Sequence, residues 1–136
     1  MAAAGSKTPV AALALIAAGC TSINADARTF ENTRWRVSAI NGQATPAAGN
    51  YVIRFADGQV GGQVGCNHFG GPYRIAGQVM TVGEVASTLM GCPEPAATFE
   101  TQTFSVLRQP VRLSWSSDRR LTLSNAAGSL ALEKLP

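Results

Sequence analysis

From Arg34 onward, apolar and polar residues alternate along the chain, and turn residues interrupt the alternation at short intervals. Successive side chains of a strand point to opposite faces, so a period of two marks strands that bury one face. "RWRVSAI" sets Trp35, Val37 and Ala39 against Arg34, Arg36 and Ser38, and "NYVIRF" places Tyr51, Ile53 and Phe55 on one side. Asp57-Gly58 then turns the chain into "QVGGQV", with Val60, Gly62 and Val64. Tyr73 and Ile75 mark a fourth strand, Val79 to Val82 a fifth and Val85 to Met90 a sixth. "VRLSW", "RLTLS" and "SLALEK" supply the last three, with Asn125 to Gly128 as a turn. Only "PEPAATFETQTFSVLRQP" departs from this period. There Phe99, Thr103, Val106 and Leu107 recur at helical spacing, Pro95 suits a first turn and Pro110 stops continuation, which predicts one helix over 96–108. The expected fold is mainly β: a small antiparallel meander or partly open barrel of about eight or nine strands with one inserted helix.

A chain of 136 residues is one domain by length, and 46% hydrophobic with 14% charged residues is a globular composition. The net charge of +3 comes mostly from arginines that are scattered along the sequence. No run of them makes a nucleic-acid footprint, and they read as a solvated surface.

The first twenty residues follow other rules. "MAAAGSKTPVAALALIAAGC" has one charge, Lys7, before an apolar run over Val10 to Ala18 that is too short for a membrane-spanning helix of about twenty residues. A positive start, a short apolar stretch and small residues at its end describe a secretory signal peptide over residues 1–19. Ala17-Ala18-Gly19-Cys20 resembles a bacterial lipobox, with Ala17 where that pattern usually has Leu or Val. The resemblance implies that Cys20 is acylated and becomes the first mature residue, anchoring the chain to a membrane. Thr21, not Asp, follows it, which makes the outer membrane the expected destination. Residues 20–31 read as a tether and 32–136 as the folded domain.

Export decides how the remaining cysteines are read, because thiols that meet outside the cytoplasm form disulfides. Cys66 and Cys92 would close a loop of about 27 residues, worth roughly 3.5 kcal/mol by the chain-entropy account. Zinc on Cys66, His68 and Cys92 is the competing reading, but Cys-x-His is not a usual ligand pair and the chain has no second histidine. The glycines around Cys66-Asn67-His68 favour a tight turn, in which Asn67 bonds nearby backbone. Glycines 61, 62, 65, 70 and 71 lack the Gly-Lys-Ser/Thr continuation of a phosphate loop. Glu84 and Glu100 have no spacing that indicates a catalytic acid pair, and they read as a strand-edge and a helix-face residue.

"GGQVGCNHFGGPYRIAGQVMTVGEVASTLMGCPEPAATFE" is similar to the META/HslJ domain family. Its signatures fall at Gly65-Cys66-Asn67, at Ser87-Thr88-Leu89-Met90-Gly91-Cys92-Pro93 and at Glu100. Trp35, Phe55-x-Asp57-Gly58 and "RLTLSNAAGSLALE" extend the likeness over about Asn32 to Leu135, with Leu89 standing where the family commonly has Arg. The resemblance implies an antiparallel β-domain with an inserted helix, often in lipid-anchored envelope proteins, with no established catalytic residues and no cofactor. Relatives of this type are associated with heat or antibiotic stress. The expected function is therefore a non-enzymatic outer-membrane lipoprotein domain that supports envelope integrity or stress tolerance. A periplasmic carrier or inhibitor is the alternative. It would hold a hydrophobic ligand or partner protein in a half-open barrel lined by Trp35, Phe55, Tyr73 and Phe99.

Overall fold

A computed structural model of the chain describes Gly5 and residues 27–136. A single helical turn, α1 (Ala27–Phe30), leads into β1 (Thr33–Ile40), β2 (Gln43–Ala44), β3 (Tyr51–Ala56), β4 (Gln59–Val64), β5 (His68–Ala76), β6 (Val79–Val82) and β7 (Ala86–Ser87). Helix α2 (Ala96–Leu107) follows, then β8 (Val111–Ser117), β9 (Arg120–Asn125) and β10 (Gly128–Lys134). The neighbours run β10-β9-β8-β6-β5-β4-β3-β1, all antiparallel, and β1 pairs back onto β10 from Trp35–Lys134 to Ile40–Leu130. The described residues thus form a closed eight-stranded barrel where the sequence suggested a partly open one. Its shortest seam is β6 with β8, held by Val79–Arg112 and Met80–Val111. β2 and β7 are two-residue additions that pair only with β1 and β5.

The alternation seen in sequence becomes the barrel interior. Trp35, Val37, Tyr51, Ile53, Phe55, Val60, Val64, Tyr73, Met80, Leu113, Leu121, Leu123, Leu130 and Leu132 are all buried in one core. β1 departs from strict alternation. Its register with β10 shifts between Val37 and Ala39, and this bulge turns Ile40 inward in place of Ala39. β5 begins at His68, five positions before the expected Tyr73, so Gly70 and Gly71 are strand residues and not part of a turn. A Cβ on Gly71 would lie 2.8 Å from the Glu84 carbonyl oxygen, which explains how a strand carries glycine here. The expected sixth strand over 85–90 shrinks to Ala86–Ser87, because the chain beyond is held by side chains instead of a ladder.

α2 covers one end of the barrel and buries Phe99, Thr103, Val106 and Leu107, the four positions that predicted it. Tyr51 meets Phe99 edge-on at 5.8 Å between ring centroids. Pro95 sits at the N-cap without a capping side chain. The Glu94 carboxylate does that work, accepting from the Thr98 amide at 3.2 Å and its hydroxyl at 2.7 Å. At the other end of the helix, Asn125 Nδ2 donates to the Val106 carbonyl at 2.8 Å.

The opposite end of the barrel is closed by a residue expected in the tether. Phe30 has 0% exposure, and its ring lies 4.9 Å from Phe55, 5.6 Å from Trp115 and 6.1 Å from Trp35. Its neighbour Glu31 accepts from the Tyr73 hydroxyl at 2.6 Å and from the Gly58 amide at 3.0 Å. The folded unit therefore begins before Asn32: an aromatic fills the space at the barrel mouth, and a carboxylate ties it down. The Tyr73 and Gly58 bonds hold the Glu31 carboxyl below its ordinary value of 4.5. Burial, then the Glu31 bond, pushes the Tyr73 phenol up. A lowered folded-state value means that Glu31 stabilises the fold above about pH 4.5 and that this contribution disappears as pH falls through the folded-state value. Acidification below about pH 4.5, through the folded-state value, should therefore loosen Phe30 and change the emission of Trp35 and Trp115. Glu31→Gln keeps an acceptor but no titration, so it should flatten that step; a step that persists unchanged would assign it to another group.

Candidate functional site

The family-like residues converge at the α2 end of the barrel, around the loop from β4 to β5. Gly65 has φ +131°, in the region that favours glycine, and a Cβ there would lie 3.1 Å from the Ala96 carbonyl oxygen. The next residue, Cys66, is joined to Cys92 as a disulfide with Cα atoms 5.9 Å apart. That Cα separation is the usual one for a disulfide.

Asn67 is the hub. It is 2% exposed, and its side chain is fully engaged. Nδ2 donates to Glu100 Oε1 at 2.7 Å and to the Met90 carbonyl at 3.0 Å. Oδ1 accepts from the Thr88 hydroxyl at 2.9 Å and the Met90 amide at 2.8 Å. The Asn67 amide itself donates to Glu100 Oε2 at 3.2 Å. Its partners are thus 21 to 33 residues away, and not the adjacent turn backbone expected from sequence. Thr88 Oγ1 also accepts from the His68 amide at 3.0 Å, Ser87 pairs with Phe69, and the Pro93 carbonyl accepts the Ala97 amide at 3.3 Å. Each signature residue therefore fastens one piece of chain: Gly65 admits the helix, Asn67 grips the 88–92 loop, Glu100 ties both to α2 and the disulfide clamps the assembly. Met90 serves through its backbone; its side chain is 58% exposed and that of Leu89 93%. Nothing in the structure explains why methionine occupies position 90.

The His68 side chain does not join this cluster, although its backbone bonds to Thr88. It is exposed at the start of β5, paired through its backbone with Gln63. The atoms that do lie together, within 4.8 Å, are the Cys66 and Cys92 sulfurs and a Glu100 oxygen. With the sulfurs bonded to each other and His68 outside that group, the described residues do not assemble the competing zinc set of Cys66, His68 and Cys92. Glu84 likewise lies outside this cluster. In chemical terms the site is a clamp whose donors and acceptors satisfy one another. Cys20 lies outside the described residues.

A small closed antiparallel barrel, capped by one helix and pinned to it through a disulfide and a part-buried Asn–Glu pair, is the class of protein these features define. The chain belongs to the META domain family, whose match spans residues 28–134. That span includes Phe30 and Glu31, as the packing does. A protein solved by NMR is similar in fold, with a TM-score of 0.69 at 21% identity over 79% of this chain and 92% of that one. A protein from Burkholderia xenovorans, also solved by NMR, superimposes with a TM-score of 0.67 at 18% identity over 80% of this chain and 86% of that one. At these identities the likeness is one of fold. Comparison with curated proteins gave no match.

Proposed function

We propose that this META domain carries out no chemistry of its own and serves as a lipid-anchored domain on the periplasmic side of the bacterial outer membrane, supporting envelope integrity under heat or antibiotic stress. The packing of the barrel is the observation that carries this reading. Trp35, Phe55, Tyr73 and Phe99, which would line a carrier's cavity, are all at most 5% exposed. Phe55 meets both Phe30 and Tyr73 at about 5 Å between centroids. A filled interior supports a scaffold over a carrier of hydrophobic ligands. The signal-like start and Gly19-Cys20 support the anchor, since several acyl chains hold a protein stably where one does not.

Complementation of a deletion strain tests both halves. Cys20→Ser should release a folded domain from the membrane fraction and lose protection against stress. His68→Ala should be present, anchored and nearly as protective as the parent. A positioned acid–base group contributes about 10²–10⁴-fold to a reaction. An anchored, normally abundant His68→Ala protein as inactive as the deletion would therefore overturn the non-enzymatic reading.

A further inference from the structure

The outer surface of the barrel carries a second feature that the clamp does not use. On β1 and β3, Arg34 and Arg54 stand directly opposite each other, both exposed on the outer face. The same cross-strand row continues through Gly61 and Gly70. Two residues without side chains thus leave a cleft of about 700 Å³ beside the arginine pair, with Gln59, Gln63 and His68 along it. On the other side of the pair lies a depression of about 420 Å³, bordered by Asn32, Thr33 and Lys134.

Like charges directly opposite on a sheet destabilise it unless something neutralises them. Among the described residues the ion pairs are Arg36 and Arg120, both with Glu133. Among those described residues, neither Arg34 nor Arg54 forms an ion pair. Asp57 is the one carboxylate lining the larger cleft, and it forms no ion pair with either. Two arginines at directly opposed strand positions, each ending in a planar fork of donors, suit the oxygens of a phosphate group.

We propose that Arg34 and Arg54 form a binding site for the phosphate of an anionic lipid headgroup, which seats the barrel against a membrane surface. The lipid source follows from where the pair lies. β1 is the first strand after the chain enters the fold, and Phe30 lies ten residue steps beyond Cys20, a reach of at most roughly 35 Å. This part rests on the anchored reading above. A tether of that reach lets the basic pair approach headgroups to within the roughly 8–10 Å over which attraction survives screening. The glycine-floored cleft admits the headgroup, while Gln59 offers its amide to the hydroxyl groups and Gln63, whose Nε2 donates to the Cys66 carbonyl at 3.3 Å, offers its amide oxygen.

The full chain carrying Cys20→Ser, which has no acyl chain to hold it, isolates the effect. Its partition onto phosphatidylglycerol-containing vesicles should exceed that onto phosphatidylcholine alone and should weaken with salt. A basic residue near an anionic surface is worth roughly a five-fold factor, so Arg34→Gln with Arg54→Gln should lower partition by about 25-fold. Removing two exposed arginines from the far side, Arg108→Gln with Arg112→Gln, should change it little. The thermal midpoint of the Arg34→Gln/Arg54→Gln protein should equal or exceed the parent's, so that lost binding is not lost folding. Equal losses in both double variants would reduce the effect to net charge and sink the site. Absence of any phosphatidylglycerol preference would do the same. Saturable binding of glycerol phosphate without vesicle binding would assign the arginines to a soluble anion and overturn the lipid source. Acylation of the wild-type chain is read separately, by intact mass, so failure of the anchor and failure of the arginine site are distinguishable.

Discussion

Trp35→Ala should cost about 3–5 kcal/mol of folding free energy, because a large buried aromatic is removed and the surrounding strands close only in part. Trp35 is inside the barrel, 5.8 Å from Trp115 and edge-on to it, and its indole nitrogen donates to Thr33 Oγ1 at 2.9 Å. Phe30 rests on the same rings, so the substitution also loosens the residue that closes this end of the barrel. Small domains hold only about 5–15 kcal/mol in total. The loss should therefore leave a chain that cells degrade. Denaturant unfolding followed through Trp115 measures it. A loss under about 1.5 kcal/mol would mean that the aromatic cluster relaxes far more readily than packed interiors do.

The second large effect concerns the disulfide. Breaking Cys66–Cys92, which closes a loop with a sequence separation of 26, should cost roughly 3.5 kcal/mol in the chain-entropy account. Cys66→Ser and Cys92→Ser should be alike, and the double variant should cost little more than either, because one bond is lost in all three. Costs that add would show that each side chain acts independently of the bond, and free alkylation of both thiols in oxidised protein would contradict the bond itself. Asn67→Ala offers a finer test. The same 88–92 loop is held by the disulfide and by Asn67, so the asparagine substitution should cost less once the disulfide is gone. Independent sites would show no such coupling.

The strands and α2 were legible because their signals are local. Tyr51, Ile53 and Phe55 announce a strand by alternation, and Phe99, Thr103, Val106 and Leu107 announce a helix by spacing. What escaped depends on partners distant in sequence. Ile40 turns inward because of a bulge against β10, and no pattern within β1 records that pairing. Phe30 sits in a polar stretch, and its burial follows from the shape of the barrel mouth. The cysteines could be paired on chemical grounds, but the role of Asn67 required Met90 and Glu100 to be placed beside it. Arg34 and Arg54 look scattered along the chain until the register sets them side by side.

The seam between β1 and β10 imposes an order of events on a chain made from its N-terminus. β1 is synthesised first among the strands and receives β10, its last partner, only when the C-terminus is free. Until then one row of its N–H and C=O groups has no ladder to join. Pairing the two ends of the sequence also demands a large loop closure, which slows folding. Ring closure must therefore follow completion of the chain, and until β10 is made the polypeptide cannot lock into its final shape.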